Sequence, residues 1–361
     1  MSWPLISVSG DPRERGRAYG KQARDRVHAS ISLYESLIGH HTGLTWARVR
    51  DLAGPFVGPL DAYDPRLLPE IEGIAEGAGV DAEDVLAINL RTELLSVQHL
   101  PGVEMIAECT AMSVVAEGGS AAHVCIGQNW DWTPRAAETC VVLASAPRDG
   151  PRSVTVVEAG LLAKCGANAA GIGVAANALS SSVDAGQIGV PFHAILRRIL
   201  SSESLEEAED AVTSPSRSSS GNYLIASSEG RSVDLEAAPG GPDMVARFAG
   251  PRLVHTNHFL RSAAPFEDTA VAEPGSTSRH RYAAASRSLE SSPRGDVEGI
   301  LTVLRDHDGR PGSVCKHRSP SLDVWDDSIT LAAMAADLTE GTVWISQGPP
   351  CEAPLDVYSL R

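Results

Sequence analysis

The 361-residue chain lacks the features that mark several whole classes of protein. Its formal net charge is -16, and no basic stripe offsets that excess of acid, so the summed field repels phosphate backbones and anionic lipid. No apolar run approaches the roughly 20 residues that a transmembrane helix requires. The first residues contain neither a basic leader nor a long apolar core. We therefore expect a cytoplasmic location, with neither nucleic acid nor a membrane as a partner.

Cysteine is sparse as well: the chain has six, and none stands in a Cys-x-x-Cys pair, the strongest sequence signal for structural zinc. Scattered cysteines without an export signal predict reduced thiols. Groups that would suit a metal hydrolase do occur, at His255, His258, His307, His317, Asp306, Asp308 and Cys315. Their spacing matches no Cys/His zinc pattern and no His-Glu-x-x-His helix. We expect neither a metal nor a cofactor.

What the chain does contain is a change of pattern near residue 109. Before it, apolar residues recur at helical spacing in segments 14–38 and 67–95, which predicts a mostly helical first hundred residues. After it, short apolar runs bounded by Gly, Pro, Asp and Ser predict consecutive antiparallel strands. These runs lie at 110–115, 122–130, 139–146, 153–159 and 171–179.

The second half of the sequence again alternates between predicted helices and predicted strands. Helices are predicted from Pro191 and after Ser204, where Ser204 and Glu207 fit a capping box. Four short strands follow between residues 222 and 259, then helices at 278–290 and 297–307, and a last strand at 341–346. Segments 214–221 and 263–277 are predicted to be solvated loops. The whole pattern indicates an α+β fold of two stacked sheets, covered by helices on both outer sides.

One candidate site begins at the stretch AECTAMSV. Cys109 is either a nucleophile freed by cleavage of its own peptide bond or one more small buried residue at a strand start. In GQNWDW, alternation places Asn129 and Asp131 on one face of the next strand. A hairpin between the two strands would bring Asp131 close to Cys109, although an acid at a strand end is as often a turn residue.

Three further segments carry side chains suited to chemistry. Asn257 lies between two histidines in HTNHF, where its NH2 group would donate to a developing oxyanion. Asn177 lies in a run rich in glycine and alanine that allows a substrate to approach the backbone. Arg279, in STSRHRY, begins a predicted helix and offers a fixed cation to Asp131 or to a substrate carboxylate. Each has an ordinary alternative, a hydrogen-bonded asparagine or a solvated arginine.

The order of these motifs resembles one known family. The chain resembles the acyl-coenzyme A:6-aminopenicillanic acid acyltransferase family, also called the C45 peptidases, which is similar to the choloylglycine hydrolases and penicillin V acylases. The resemblance covers nearly the whole chain. It is carried by the segments GDPRERGRAYGKQ, EIEGIAEGAGV, NLRTEL, ECTAM, GQNWDW, GANAAGIGVAANAL, HTNHF, STSRHRY and RDHDGRPGSVCKH.

The resemblance implies an N-terminal-nucleophile hydrolase, which is an αββα four-layer sandwich of two antiparallel sheets flanked by helices. It implies an inactive precursor that cleaves itself between Glu108 and Cys109. Residues 1–108 would then be a mostly helical pro-segment, and 109–361 the αββα catalytic domain. The apolar faces of the predicted helices indicate that the pro-segment stays bound as a small subunit, so that the two fragments form a heterodimer.

The same resemblance assigns roles to the candidate residues. Cys109 is the nucleophile, Asp131 orients its freed amino group, and Asn257 contributes to the oxyanion hole. Arg279 and Asn177 correspond to further active-site residues. A freed α-amine has a reference pKa of about 7.7 to 8.0, so it serves as the base and no histidine is needed.

Three functions follow from this chemistry. We expect hydrolysis of an N-acyl amide or a small peptide through an S-acyl enzyme, because no sequence feature marks a coenzyme A site. The alternative is an acyltransferase that moves an acyl group from an acyl-coenzyme A thioester to an amine. A third interpretation is a small-molecule binding scaffold that never cleaves, since Glu108 stands where family members often have glycine, whose missing side chain eases a strained backbone.

Overall fold

The computed structural model describes residues 3–95, 108–116, 123–261, 264–270, 276–291, 295–319, 322, 325 and 327–361. Within these residues the helices are α1 Pro12–Gln22, α2 Arg24–Thr42, α3 Trp46–Ala53, α4 Val57–Tyr63, α5 Leu67–Ala78, α6 Ala82–Asn89, α7 Arg91–Leu95, α8 Phe192–Ile199, α9 Leu205–Thr213, α10 Ser278–Ser291 and α11 Val297–Leu304. The strands are β1 Leu5–Gly10, β2 Cys109–Ala116, β3 His123–Trp132, β4 Cys140–Pro147, β5 Ser153–Glu158, β6 Cys165–Asn168, β7 Ile172–Ala178, β8 Gly221–Ser227, β9 Arg231–Ala237, β10 Val245–Ala249, β11 Arg252–His255, β12 Ile329–Asp337, β13 Thr342–Gln347 and β14 Leu355–Ser359.

These strands form two sheets that pack face to face. One sheet has the order β1-β4-β5-β6-β7-β8-β9-β10, and the other has the order β11-β2-β3-β12-β13-β14. Helices α10 and α11 pack on the outer face of the second sheet, while α8 and α9 pack against strands of the first. The predicted α+β architecture of two stacked sheets between helical layers is therefore confirmed.

The hairpin that positions the candidate site is also as predicted. Strands β2 and β3 pair antiparallel with Cys109 opposite Trp130 and Ala116 opposite His123. The far end of β3 thus returns to the beginning of β2, which places Asp131 beside the backbone of Cys109. The predicted turn between the strands lies outside the described residues.

The N-terminal hundred residues differ from the prediction in one respect, because they also contribute a strand. Strand β1 pairs in parallel with β4 and so forms the edge of the eight-stranded sheet. Alternation explains its burial, with Ile6 and Val8 inward and the intervening residues outward. A six-residue strand ahead of a long helical pattern gives too short an apolar signal to separate from a loop.

Helices of the N-terminal segment pack unusually closely. In α1, a Cβ atom at Gly16 would lie 2.1 Å from the Glu70 carbonyl oxygen, and one at Gly20 would lie 2.0 Å from that of Ile74 in α5. Glycine is thus required at both positions, since any side chain would drive the helix backbones apart. Arg15 of α1 and Arg197 of α8 both pair with buried Glu70, at 2.8 Å and 3.0 Å, which ties this segment to the rest of the chain.

Two predictions on the second half were wrong. Segment 214–221 is not a solvated loop, because Arg217 is 1% exposed and donates to the carbonyls of Val212, Pro215 and Ala238. Strand β14 follows the strand predicted to be last and pairs with it. The Ser204 cap is only partly as expected, since its hydroxyl accepts from Glu207 N at 3.2 Å whereas the Glu207 carboxylate accepts from Glu203 N.

Among the described residues, no helix combines the length and the apolar character that crossing a membrane requires.

Candidate active site

Cys109 is the first residue of β2 and is 1% exposed. Its direct cross-strand partner is Trp130, and opposite residues of an antiparallel pair place their side chains on the same face. Gln128, two residues earlier on that face, donates to the Ala176 carbonyl of the facing sheet at 2.6 Å. The thiol therefore points into the space between the two sheets.

The charge around the thiol comes chiefly from Lys164. Burial, joined by the Asp131 carboxylate, raises the pKa of the Cys109 thiol, and the Lys164 ammonium, the backbone N–H of Asp131 and Arg281 only partly offset that rise. Lys164 is itself 6% exposed, and burial lowers the pKa of its ammonium. Its Nζ lies 5.9 Å from the ring centre of Trp130 and 5.2 Å from that of Phe192. A cation confined beside a thiol favours the thiolate, which is the nucleophilic form.

Two buried side chains hold the backbone of Cys109. Its N–H donates to Asn257 Oδ1 at 2.7 Å, and its carbonyl accepts from Arg281 Nη1 at 2.7 Å. Arg281 also donates to Asn257 Oδ1 at 2.9 Å and to Thr110 Oγ1 at 3.0 Å. With its oxygen fixed by two donors, the Asn257 amide directs its NH2 group to the Ala178 carbonyl at 3.0 Å. One N–H of that group remains available for a ligand.

Asp131 lies close to Cys109 but faces away from the thiol. Its cross-strand partner is Thr330, whose hydroxyl donates to Asp131 Oδ1 at 2.8 Å. Because side chains alternate along a strand, Asp131 lies on the face opposite to Trp130 and to the Cys109 side chain. Asp131 Oδ2 is buried without a hydrogen-bond partner among the described residues, and burial raises the pKa of this carboxyl to about 7.

Glu108, on the other side of the candidate cleavage site, is also held. Its carboxylate pairs with the Lys316 ammonium and accepts from Thr277 Oγ1 at 2.6 Å. Arg281 Nη2 lies 4.0 Å from Glu108 Oε1. The side chain of Glu108 is 20% exposed, so this end of the bond lies nearer to solvent than Cys109 does.

Two cavities flank the short helix α7. A cavity of about 20 Å3 at the thiol is lined by Arg91, Thr92, Leu95, Cys109, Trp130, Trp132, Lys164, Ala178 and Phe192, and it holds about one water molecule. A larger cavity of about 340 Å3 is lined by apolar residues that include Leu52, Phe56 and Leu94, together with the buried acid Glu93. Glu93 bonds the backbone N–H of Phe192 at 2.8 Å, so the two cavities share their dividing wall.

The structure corrects one predicted site residue, because Arg279 does not reach the site. In α10 the buried residues are Ser278, Arg281, Ala284, Ala285 and Leu289, which form one face at helical spacing. Arg279 lies off that face and is exposed. The arginine that contacts Cys109 is Arg281, two residues later in the same motif, and this spacing was the signal that could have identified it.

Asn177 lies beside the site without lining the cavity at the thiol. Its Oδ1 accepts from Asn222, its cross-strand partner, at 3.2 Å. Its Nδ2 donates to the His255 carbonyl at 3.5 Å, two residues before Asn257. The side chain thus supports the strand end that presents Asn257. Lys164, which sequence reasoning missed, could have been found as a lone lysine in the apolar run GLLAKCG.

The histidines considered as metal ligands separate into two groups. His255 bonds Glu236 at 2.9 Å and His258 bonds Ser278 at 2.8 Å, so both have protein partners near Asn257. His307, Cys315 and His317 instead come together with Cys351, a residue that the predicted ligand set omitted.

Comparisons with known proteins agree with the motifs. The profile of the family "Acyl-coenzyme A:6-aminopenicillanic acid acyl-transferase" matches residues 116–351. The 40 kDa form of acyl-coenzyme A:6-aminopenicillanic-acid-acyltransferase from Emericella nidulans is 28% identical over 311 residues, which cover 86% of this chain and 84% of that one. Among solved structures, a variant of conjugated bile acid hydrolase from Clostridium perfringens has 14% identity and a TM-score of 0.46, covering 70% of this chain and 92% of that one. Penicillin V acylase from Agrobacterium tumefaciens has 13% identity and a TM-score of 0.42, covering 70% and 86%.

Proposed function

The chain belongs to the acyl-coenzyme A:6-aminopenicillanic acid acyl-transferase family, and from that premise we propose that it is a self-cleaving N-terminal-cysteine amidohydrolase. Its substrate would be an N-acyl amide or a small peptide, and its intermediate an S-acyl enzyme. The observation that carries the proposal is the clamp on Cys109: both backbone polar atoms of this residue are bonded by buried side chains, Asn257 and Arg281.

Self-cleavage is the first step of the proposal. The Cys109 sulfur attacks the carbonyl carbon of Glu108, an S–C bond forms as the C–N bond breaks, and the thiol proton goes to the departing nitrogen. Water then hydrolyses the thioester, which leaves a carboxylate on Glu108 and a free α-amine on Cys109. The geometry supports this assignment because the Cys109 nitrogen already has the acceptor, Asn257 Oδ1, that the new amine needs.

Asp131 provides the second acceptor for that amine. A free amine has more N–H groups than the peptide it replaces, and Asn257 Oδ1 takes one of them. Asp131 Oδ2 lacks a partner among the described residues, and Asp131 lies next to the start of β2, so this oxygen is suited to take another. Asp131 would then orient the amine from the face opposite to the thiol.

Turnover follows from the freed amine. With a reference pKa of about 7.7 to 8.0, the amine takes the thiol proton as sulfur attacks a substrate carbonyl, and returns it to the leaving amine. The second N–H of the Asn257 amide would donate to the oxyanion, a contribution of about 3 kcal/mol for such a donor. Water then releases the acyl group from Cys109.

We propose that residues 1–108 stay bound to residues 109–361 after cleavage. Strand β1 is hydrogen-bonded into the eight-stranded sheet. Across the same boundary Glu158 accepts from Tyr34 at 2.5 Å and pairs with Arg91 at 3.1 Å, with both carboxylate oxygens buried. Separation would expose a sheet edge and unpair buried charges, which is strongly unfavourable.

A reducing compartment such as the cytoplasm suits a protein whose six cysteines are all free thiols.

Acyl transfer is a second candidate, favoured by the relative from Emericella nidulans, which its name describes as an acyltransferase. The two functions differ only in what attacks the S-acyl enzyme, water or an amine. The apolar cavity of about 340 Å3 beside α7 suits an apolar acyl or amine group in both cases.

Rapid quenching during turnover tests the proposal. Wild-type protein is mixed with an N-acyl p-nitroanilide or with an acyl-coenzyme A, with and without an amine acceptor, and its peptides are then analysed by mass. Hydrolysis predicts an acyl adduct on a peptide that begins at Cys109, and release of the free acid at a rate that the amine does not change. An amide product with the amine would favour acyl transfer. An adduct-free, uncut chain would instead support the binding scaffold.

A further inference from the structure

Four potential metal ligands meet near the start of β12 and the turn after β13, outside the residues that line the cavity at the Cys109 thiol. They are His307, Cys315, His317 and Cys351, whose ligand atoms all lie within 4.8 Å of one another. His307 Nε2 lies 3.1 Å from His317 Nε2, and Cys315 Sγ lies 3.5 Å from Cys351 Sγ. His317 Nε2 lies 3.6 Å from Cys315 Sγ and 3.3 Å from Cys351 Sγ. We call these four residues the Cys2His2 cluster.

These distances agree with the edges of a zinc tetrahedron. With zinc–sulfur bonds of about 2.3 Å and zinc–nitrogen bonds of about 2.1 Å, tetrahedral angles give about 3.8 Å between two sulfurs, 3.6 Å between sulfur and nitrogen, and 3.4 Å between two nitrogens. The four distances above fall within about 0.3 Å of the corresponding values. At the centre of such a tetrahedron one cation would bond two imidazole nitrogens and two sulfurs.

The surroundings of His317 add an independent argument. Its Nδ1, the nitrogen that points away from the cluster, lies 3.2 Å from Glu352 Oε1. A carboxylate bonded to the far nitrogen of a histidine fixes the tautomer that leaves Nε2 free to bind a metal. Cys315 is also held in place, because its backbone N–H donates to the Asp306 carbonyl at 2.8 Å.

We propose that the Cys2His2 cluster binds one Zn2+ ion as a structural site. Four protein ligands fill a tetrahedral shell and leave no position for substrate, which is the arrangement of structural rather than catalytic zinc. Two sulfur and two nitrogen ligands in a tetrahedron favour zinc over magnesium or calcium, which prefer oxygen. The sequence conceals the site because Cys351 comes from the turn after β13, far along the chain from Cys315-x-His317.

The site would join two parts of the chain that meet beside the cleavage site. Lys316, between two of the ligands, pairs with Glu108, and its backbone N–H donates to Thr330 Oγ1 at 2.9 Å. The same hydroxyl donates to Asp131 at 2.8 Å. A metal that fixes Cys315 and His317 would therefore also fix the segment that contacts Glu108 and Asp131.

Metal content and cobalt spectroscopy test the site on the full chain. We expect purified protein to retain about one equivalent of zinc after dialysis against a weak chelator. Replacement by Co2+ should give the intense visible bands of tetrahedral cobalt together with a thiolate-to-metal band in the ultraviolet. The variants Cys351→Ser and His317→Gln should lose the metal and the bands, whereas His280→Ala, at an exposed histidine on α10, should keep both. Glu352→Gln should bind with about 10-fold lower affinity.

Several results would overturn the site. These are wild-type protein that binds no Co2+ with all thiols free, a disulfide between Cys315 and Cys351 in protein prepared under reducing conditions, or Cys351→Ser protein that still gives the thiolate band. The wild-type spectrum needs no variant, so a failure of one variant to fold leaves the test intact.

The effect on maturation rests on the proposed self-cleavage and is measured separately. Zinc removal by chelation during folding should slow conversion to two fragments at least several-fold, and added Zn2+ should restore it. If the metal binds but the chain never cuts, the zinc site stands and the proposed function fails. If the chain cuts at the same rate with and without metal, the link from Lys316 to Glu108 is wrong.

Discussion

The two sides of the peptide bond between Glu108 and Cys109 are held by different means. On the Cys109 side every partner is deeply buried: Asn257 is 7% exposed and Arg281 is 0% exposed. On the Glu108 side the contacts are an ion pair and a hydroxyl bond to a side chain that is 20% exposed. Buried networks are costly to break, while partly exposed ion pairs contribute about 1 kcal/mol or less. For the proposed self-cleavage, we therefore expect the Cys109 side to fix the reaction geometry and the Glu108 side to adjust the rate.

The largest effect is expected at Arg281. Arg281→Met removes donors from the Cys109 carbonyl and from Asn257 Oδ1 and leaves Asp131 without a buried cation, so we expect a loss of about 3 to 5 kcal/mol in stability and no self-cleavage. Arg279→Met is the matched control on the same helix turn, and it should unfold within about 0.5 kcal/mol of wild type and cut normally. Urea unfolding and gel analysis measure both. Equal losses of stability and of self-cleavage in the two variants would contradict the assignment of the active-site arginine to Arg281 rather than Arg279.

Asp131 should show the next largest effect, with a pH signature. Burial raises the pKa of its carboxyl from 3.8 to about 7, so the folded chain keeps a proton that the unfolded chain has lost between these values. Stability contributed by the neutral form is therefore lost progressively as pH rises from about 4 to about 7, and the loss is complete above that range. In a Cys109→Ala background, Asp131→Asn should match its parent near pH 4 and exceed it by up to about 4 kcal/mol above pH 7.

Thermal unfolding from pH 4 to pH 8 measures this difference. The same Asp131→Asn change in the wild-type background should lower turnover, because the amide no longer attracts the new ammonium group. A stability difference that is constant across the pH range would mean that Asp131 is ionised throughout. Retained turnover would mean that Asp131 does not orient the amine.

Substitutions at Asn257 and Asn177 distinguish a side chain proposed to contact the reacting atoms from one that only supports it. Asn257→Leu removes the acceptor of the Cys109 N–H and the donor proposed for the oxyanion, so we expect kcat to fall by about 100- to 1000-fold. Asn177→Ala removes the bond from Asn222 at 3.2 Å and the bond to the His255 carbonyl at 3.5 Å, neither of which touches Cys109, and should lower kcat by less than about 10-fold. Steady-state kinetics of the two cleaved variants measure these changes in kcat. A greater loss in Asn177→Ala would place that side chain in the catalytic centre.

The smallest effect is expected at Lys316, on the Glu108 side. Lys316→Met removes a partly exposed partner of Glu108, for which about 1 kcal/mol, and hence a change of about 5-fold in the rate of self-cleavage, is expected. Lys316→Arg keeps the charge and should restore most of the rate. The time course of fragment formation after refolding measures it. Complete loss of cutting in Lys316→Met would show that the contacts on the Glu108 side are as necessary for self-cleavage as those on the Cys109 side.

The sequence predicted the layers and the hairpin because both depend on local patterns. Alternating residues along β2 and β3 identify a buried pair of strands, so the amino-acid pattern alone places Cys109 and Asp131 close together. The side on which Asp131 lies does not follow from that pattern, because it depends on the cross-strand register that puts Trp130 opposite Cys109. A slip of one residue would have exchanged the faces.

Other parts of the site depend on contacts between distant segments. Arg279 and Arg281 are equally basic in sequence, and only the packing of α10 decides which is buried. Lys164 and Thr330 contribute single side chains from separate strands or loops, with no motif around them. Cys351 completes the Cys2His2 cluster from the far side of two strands, so spacing rules for zinc ligands could not detect it.

The most direct test is the mass of the intact chain under denaturing conditions, for wild type, Cys109→Ala and the control Cys125→Ala, another buried cysteine. The account predicts that wild type and Cys125→Ala give two fragments of about 11 and 27 kDa, which divide 38.0 kDa at Glu108–Cys109 in proportion to length. Cys109→Ala should give one uncut mass. A single uncut mass for wild type, or fragments that persist in Cys109→Ala, would contradict self-cleavage by this thiol and favour an uncut binding scaffold.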